Sequence, residues 1–314
     1  MKRFVGFLAL GSLLVMVGCG GEDDDDVVGN PGFILPPADE VPQAYLEVGG
    51  VWEAQGPADF TCLGTASADQ ATTIEITLSG VTEDFQTGDV VDNVDVGLFN
   101  AGSDLTGTPV TSTTSDGEGN YSLAIPVGSK RLVFRSTDPE GTRFLDTYLF
   151  NQLLEPDVAA QTETLNSVSN LTANALPAFI GVMRTEGLGV LAGAFRDCQE
   201  REVDGVIATV SGTSCAGGGC DPDDLDHLDG AQTYYFSAQS TSLPVRLSQQ
   251  PNTNHDGLFV VIELPPEQES FLQVWGYKDS ADAASQTLSL LGEIPSPALA
   301  DSVITASMEP LRTE

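Results

Sequence analysis

Large apolar residues recur at every second position in several short segments of this chain. In Thr73-Ile74-Glu75-Ile76-Thr77-Leu78, the residues Ile74, Ile76 and Leu78 point one way and Thr73, Glu75 and Thr77 the other. Tyr121, Leu123 and Ile125 share one face in the same manner. Val94 to Leu98 and Leu132-Val133-Phe134 are further short runs of β-branched and aromatic residues. Clusters of Gly, Asp, Asn and Ser separate the runs. This texture predicts strands joined by turns, each with one face on a core. Such faces are buried by packing one sheet on another. The expected fold class is mainly β, with two β-sandwich modules in tandem, Ig-like or prealbumin-like.

Three stretches depart from the alternation. Phe4 to Gly18 is an apolar run broken only by Ser12, preceded by Lys2 and Arg3. A basic start and a short apolar core predict a secretory signal, residues 1–18, too short to span a bilayer. Residues 19–44 are rich in Gly, Pro and Asp without periodicity, which predicts a disordered tether. Between Asn170 and Met183, Leu171, Ala175, Leu176, Phe179 and Ile180 fall at roughly helical spacing. They predict a short junction helix capped by Ser169 or Asn170, with Pro177 in its first turn or kinking it.

The strand texture also repeats. Gly80-Val81-Thr82-Glu83-Asp84 returns as Gly193-Ala194-Phe195-Arg196-Asp197, and Val91-Asp92-Asn93-Val94 as Val203-Asp204-Gly205-Val206. The turn at Asp116-Gly117, leading into Asn120-Tyr121, returns at Asp256-Gly257, leading into Leu258-Phe259. The first two offsets are near 112 and the third is larger, so the second copy carries an insert near residues 212–243. Two long copies predict two domains with their own cores. The expected boundaries are 45–168 for the first and 169–314, with the junction helix, for the second.

The ordered set of Gly-x-x-x-Asp, Val-x-x-Val, Asp-Gly before an aromatic strand, and Ile125-Pro126-Val127-Gly128 resembles the carboxypeptidase regulatory-like domain. That resemblance covers about residues 72–168 and 188–310, and it implies a seven-stranded transthyretin-like or CnaB-like sandwich. Some CnaB-type domains cross-link a Lys to an Asn. Here only Lys130 and Lys278 follow the leader, neither on a first strand, so no cross-link is expected.

Val15-Met16-Val17-Gly18-Cys19 resembles the lipobox of bacterial lipoproteins. The resemblance implies cleavage before Cys19 and lipid on that cysteine, with several acyl chains, as stable anchoring requires. Gly20, rather than Asp, is the pattern that implies the outer membrane in many Gram-negative bacteria. The expected place is the cell envelope, with the membrane as partner.

The chain of 314 residues has 12 basic and 46 acidic side chains, a net charge of −34. That balance disfavours nucleic acid and anionic headgroups. Four cysteines remain beyond Cys19: Cys62, Cys198, Cys215 and Cys220. In an oxidising compartment they predict two disulfides, with three possible pairings. The Ala216-Gly217-Gly218-Gly219 loop between Cys215 and Cys220 is flexible enough to close on itself, which leaves Cys62 with Cys198.

Candidate chemistry is sparse. His227 and His255 are the only histidines, and no His-Glu-x-x-His, Cys-x-x-Cys or Gly-x-Ser-x-Gly pattern occurs. A carboxypeptidase catalytic domain is therefore absent, and no enzyme is expected. Asp221, Asp223, Asp224, Asp226 and Asp229 crowd the insert, where a solvated loop competes with a calcium site. No other cofactor is expected. Thr233-Tyr234-Tyr235-Phe236 with Trp275 and Tyr277 suits a core, or else a glycan-stacking surface. The expected function is a non-catalytic binding or structural module with a protein or glycan ligand. A calcium-dependent or glycan-binding adhesin is the first alternative. A hydrolase with an unrecognised carboxylate site, marked by a perturbed group near His227 or His255, is the second.

Overall fold

A computed structural model of the chain describes residues 33–38, 40–222, 225–238, 243–267 and 269–313. Strand β1 (Gln43–Val48) turns into β2 (Val51–Pro57) through Gly49 and Gly50, both at positive φ, the two-residue turn that twisted strands favour. The first module runs through β3 (Ile76–Asp84), β4 (Asp95–Asn100), β5 (Thr111–Thr114), β6 (Asn120–Ile125), β7 (Arg131–Thr137), β8 (Phe144–Leu153), β9 (Ala160–Thr162) and β10 (Leu165–Ser169). Helix α1 (Asn170–Phe179) follows. The second module runs through β11 (Gly189–Phe195), β12 (Glu202–Val203), β13 (Ile207–Ser211), β14 (Gln232–Phe236), β15 (Pro244–Val245), β16 (Leu258–Leu264), β17 (Phe271–Gly276), helix α2 (Ser280–Ser285), β18 (Ser289–Pro295) and β19 (Ser302–Met308).

Alternation places the cores. In β6, Tyr121, Leu123 and Ile125 are buried while Asn120, Ser122 and Ala124 are exposed. They join Ile76, Leu78, Leu98 and Phe134 in the core of the first module. The continuous apolar runs have a different cause. Leu132 and Phe134 of β7 face that core, whereas Val133 faces the other way, with Phe99, Tyr148 and Phe150. Those four pack with Phe195, Val210, Tyr235, Phe259 and Leu272 of the second module. A strand buried on both faces carries apolar residues at successive positions.

The two modules share one sheet. Strand β19 pairs parallel with β11 of its own module, Val190 opposite Val303, and parallel with β8 of the other, Ser302 opposite Asp146. The path β14-β16-β11-β19-β8-β7-β4 therefore crosses the module boundary through hydrogen bonds. Arg131 at the start of β7 adds a polar link, bridging Asp69 and Glu309.

Within this frame each module has one topology. The pairs β3–β6, β3–β10, β4–β7 and β7–β8 are answered by β11–β16, β11–β19, β13–β17 and β17–β18, with the same directions. Gly80 lies opposite Tyr121, as Gly193 lies opposite Phe259. The turn, however, is in a different register from the sequence repeat. Val94 N donates to Ser115 Oγ at 2.9 Å, and Val206 N to Thr253 Oγ1 at 3.0 Å. Thr82 N donates to Gly119 O, as Phe195 N does to Gly257 O. Asp116 is thus matched by Asn254, and Asp256-Gly257 matches Glu118-Gly119 rather than Asp116-Gly117. The modules also differ: β5 pairs with β4, while β14, inside the expected insert, pairs with β16 in the opposite sheet, and β8 pairs with β10 whereas β18 and β19 lie in different sheets.

Three expectations are corrected. The expected tether, 19–44, is packed from Phe33, which joins a cluster with Trp275 and Tyr277, while Tyr277 Oη donates to Pro36 O at 3.0 Å. The expected first-module boundary at residue 45 also moves, because β1 pairs with β12 of the second module, Ala44 opposite Val203. Helix α1 begins at the expected cap, Ser169, whose Oγ accepts from Thr172 N. Pro177 lies in its last turn, not its first, and the helix ends two residues later. Leu171 projects into solvent at 77 % exposure, whereas Ile180, at the other end of the same spacing, is buried, as is Ala173.

Candidate functional site

Cys62 is bonded to Cys198, and Cys215 to Cys220. The first bond ties the segment after β2 to the loop after β11, so it staples the N-terminal hairpin onto the second module. The second closes the glycine loop of the insert. Glu293 of β18 accepts from Cys215 N at 2.7 Å, Ser214 Oγ at 2.5 Å and Gln273 Nε2 at 2.9 Å. This carboxylate pins the closed loop to the sheet.

The acidic residues of the insert do not converge where they are described. Asp221, Asp226 and Asp229 are exposed, and Asp226 accepts from Ser211 Oγ at 2.6 Å. Among the described residues no three His, Cys, Asp or Glu side chains form a metal-holding group. Asp223 and Asp224 lie outside the described residues, as does Cys19. Tyr235, Trp275 and Tyr277 are buried in the core, which removes them from any stacking surface.

His227 is locked into the base of the insert. Its Nδ1 accepts from Val210 N at 2.9 Å, and the Phe33 ring meets it edge-on at 5.7 Å. Burial lowers its pKa from 6.5 to about 4. The unfolded chain thus binds a proton near pH 6.5 that the folded chain refuses until about pH 4. Folding stability therefore falls as pH drops through this window, by up to about 3 kcal/mol at its acid end. Urea denaturation at pH 7 and pH 4.5 should show His227→Gln losing less stability than wild type between the two. Asp59 and Asp138, whose pKa values are held at about 2, lose their contributions only at lower pH.

The described residues also form a cleft of about 360 Å³ that the sequence did not disclose. One wall is the N-terminal segment with Pro36, Pro37, Glu40 and Gln43, and the other carries Asp204, Gln250, Asn252 and Asn254. Asp204 Oδ1 accepts from Gln43 N at 2.6 Å and its Oδ2 from Tyr45 Oη at 3.2 Å. Burial raises its pKa, against the hydrogen bonds from Gln43 and Tyr45, which lower it. Asn254 sets its amide oxygen 3.1 Å from His255 Nδ1, and its buried Nδ2 has no partner. Beside these groups His255 meets Tyr45 at 6.1 Å and Trp52 at 5.4 Å between ring centroids.

The repeat held a partial signal for this place. Asp204 takes the position of Asp92, which pairs with Arg143 in the first module. Asn254 takes that of Asp116, whose Oδ1 caps its own turn through Glu118 N and Asn120 N. At the first of these positions the second copy turns its carboxylate toward Gln43 and Tyr45 of the N-terminal segment. That segment lies some 160 residues away in sequence, so no local pattern announces the contact.

No protein-family model and no curated protein matches the chain. Among solved structures, the Bacillus anthracis TIE protein aligns with a TM-score of 0.24 at 10% identity, over 76% of this chain and 34% of that one. The chain thus spans about a third of that protein's length. The shaft pilin SpaA from Lactobacillus rhamnosus GG aligns at 0.22 and 11% identity, over 77% and 98% of the two chains. The Streptococcal ancillary pilin aligns at 0.23 and 13% identity, over 85% and 73%. Scores this low carry no argument about function. The class, a mainly β protein of two sandwich modules, rests on the strand pairing itself.

Proposed function

We propose that this protein is a lipid-anchored component of the cell envelope, at the outer membrane, and acts there as a non-catalytic binding or structural module built from two carboxypeptidase regulatory-like domains. One observation carries the reading. Of five cysteines, four are joined in disulfides, and Cys19 alone is left over, at the end of an apolar run with a basic start. Disulfides belong to exported proteins, and a cysteine in this position is the lipid acceptor of the lipobox pattern. The chemistry around the histidines supports a non-catalytic role. His227 is half-buried with its Nδ1 facing a backbone amide, and His255 is packed against two aromatic rings.

Expression of the full chain with labelled palmitate tests the anchor. Label is expected in the wild type, which pellets with membranes. Cys19→Ser should carry no label and move to the soluble fraction, because removing the acyl chains removes the membrane affinity. Label that persists on Cys19→Ser, or a wild type that stays soluble, would overturn the anchoring.

A further inference from the structure

The hairpin of β1 and β2 ends in an apolar tip. Leu46, Val48 and Val51 share one of its faces, with Val48 directly opposite Val51, and they are 43 %, 48 % and 61 % exposed. Between Glu47 and Glu53 the run Val48-Gly49-Gly50-Val51-Trp52 holds no charge. A Cβ at Gly49 or Gly50 would meet nothing within 4 Å, so the turn stands clear of the rest of the described chain. Strand β2 pairs with β1 alone among the described strands. Contiguous aliphatic side chains left this open mark a contact surface.

The place of the tip in the molecule says what it meets. Pro36 and Pro37 line one cleft with Asn252 and Asn254, and Trp52 of the hairpin meets the neighbouring His255. The N-terminal segment and the hairpin thus occupy one pole of the second module, where β11 reaches Ala194 opposite Leu258. Helix α1 lies toward the other pole, with Val190 and Ile262, where β11 begins at Gly189 opposite Leu264. Cys19 precedes Phe33 by 14 residues, a stretch that reaches at most ~50 Å. Lipid on Cys19 therefore brings the hairpin pole within that distance of the bilayer and gives the tip a high effective concentration there. A second copy of the chain fits the tip poorly. Two chains of net charge −34 repel, and three half-open aliphatic side chains fall well short of the ~800 Å² per partner that a standard protein interface buries. The same charge disfavours anionic headgroups. A zwitterionic bilayer asks only for uncharged apolar side chains, and Glu47 and Glu53, the first charges behind the tip, limit the depth of entry. Trp52, between tip and charges, is of the residue type enriched at the level of the headgroups.

We infer that the tip at residues 48–51, with Leu46, enters the interface of a zwitterionic bilayer and gives the protein a second membrane contact beside the lipid at Cys19. The inference rests on the proposed anchoring, and the experiment tells the failure of one from the failure of the other.

The test uses the protein as cells process it from the full chain, labelled with palmitate and reconstituted in phosphatidylcholine vesicles with acyl chains brominated near the headgroup. The tip reporter is Val51→Trp, and the comparison is Leu171→Trp, at the exposed position on α1 toward the far pole. Each is read against the parent chain, whose Trp52 and Trp275 set the background. Emission from Val51→Trp is expected to shift to the blue and to lose about half its intensity to the bromines. Leu171→Trp should do neither. Adding Leu46→Asp and Val48→Asp to Val51→Trp should cut the quenching at least threefold, with label, pelleting and thermal midpoint unchanged. A labelled, pelleted protein whose tip is unquenched would overturn the insertion and leave the anchor standing, whereas a chain without label overturns both. Quenching of Leu171→Trp equal to that of Val51→Trp, quenching that survives Leu46→Asp and Val48→Asp, or cross-linking of the tip to a second copy would also overturn the insertion.

Discussion

Gly80→Ala is expected to prevent the first module from closing. A Cβ at this position would stand 1.8 Å from the carbonyl oxygen of Glu163 and 3.1 Å from the Tyr121 ring. The obstacle is backbone, held in place by the parallel pairing of β3 with β9 and by Tyr121 Oη, which donates to Glu163 O at 2.7 Å. No rotamer change relieves it, so the strands must part. Overpacking of this kind costs several kcal/mol, and we expect a loss of at least about 4 kcal/mol. Two other glycines calibrate the result. At Gly193 the nearest atoms are the tip of the Phe259 ring at 2.5 Å and Ala306 O at 3.0 Å, so Gly193→Ala should cost less. At Gly117 nothing lies within 4 Å, and Gly117→Ala should be nearly silent. Denaturant unfolding of the three variants should rank them in that order. Equal midpoints for Gly80→Ala and Gly117→Ala would mean that β9 does not lie against β3.

Removing the Cys62–Cys198 bond is the second large change. It closes a loop of 136 residues, and constraining an unfolded chain over that distance stabilises the fold by about 5 kcal/mol in the loop-entropy description. The Cys62→Ala/Cys198→Ala double variant should lose most of that stability. The Cys215→Ala/Cys220→Ala pair spans only 5 residues and should lose clearly less. The measurement is the free energy of unfolding in guanidinium, with reduced and oxidised wild type as references. A short-loop variant as unstable as the long-loop one would mean that the insert, through Glu293 and Gln273, contributes more than its loop length implies.

The β-sandwich class was legible in the chain because alternation survives wherever one face of a strand meets water, as in Asn120 to Ile125. The repeat was legible through glycines and turn residues that recur for a steric reason: Gly80 and Gly193 each make room for an aromatic ring and a neighbouring carbonyl. Asp-Gly occurs at both turns but in different registers, so composition alone aligns the second turn two residues out. Hydrogen bonds through Ser115 and Thr253, not composition, fix which residues correspond. The placement of residues 33–57 was not legible at all. Gly- and Pro-rich sequence says only that a segment lacks a core of its own, and this one borrows the core of the second module. The cleft follows from that placement, so Gln43, Asp204 and Asn254 share no local pattern in the sequence.

The shared strand β19 also has a consequence for how the chain reaches its fold. Its neighbours in the sheet precede it by 113 residues at Val190–Val303 and by 156 at Asp146–Ser302. A chain emerging from its N-terminal end must therefore present β8 and β11 with open edges until β19 arrives. Contacts of such long range slow folding, and open edges invite association with other chains. Neither module can mature on its own schedule. The half-made protein is the vulnerable species, and the rate at which the remainder of the chain is delivered governs how long that vulnerability lasts.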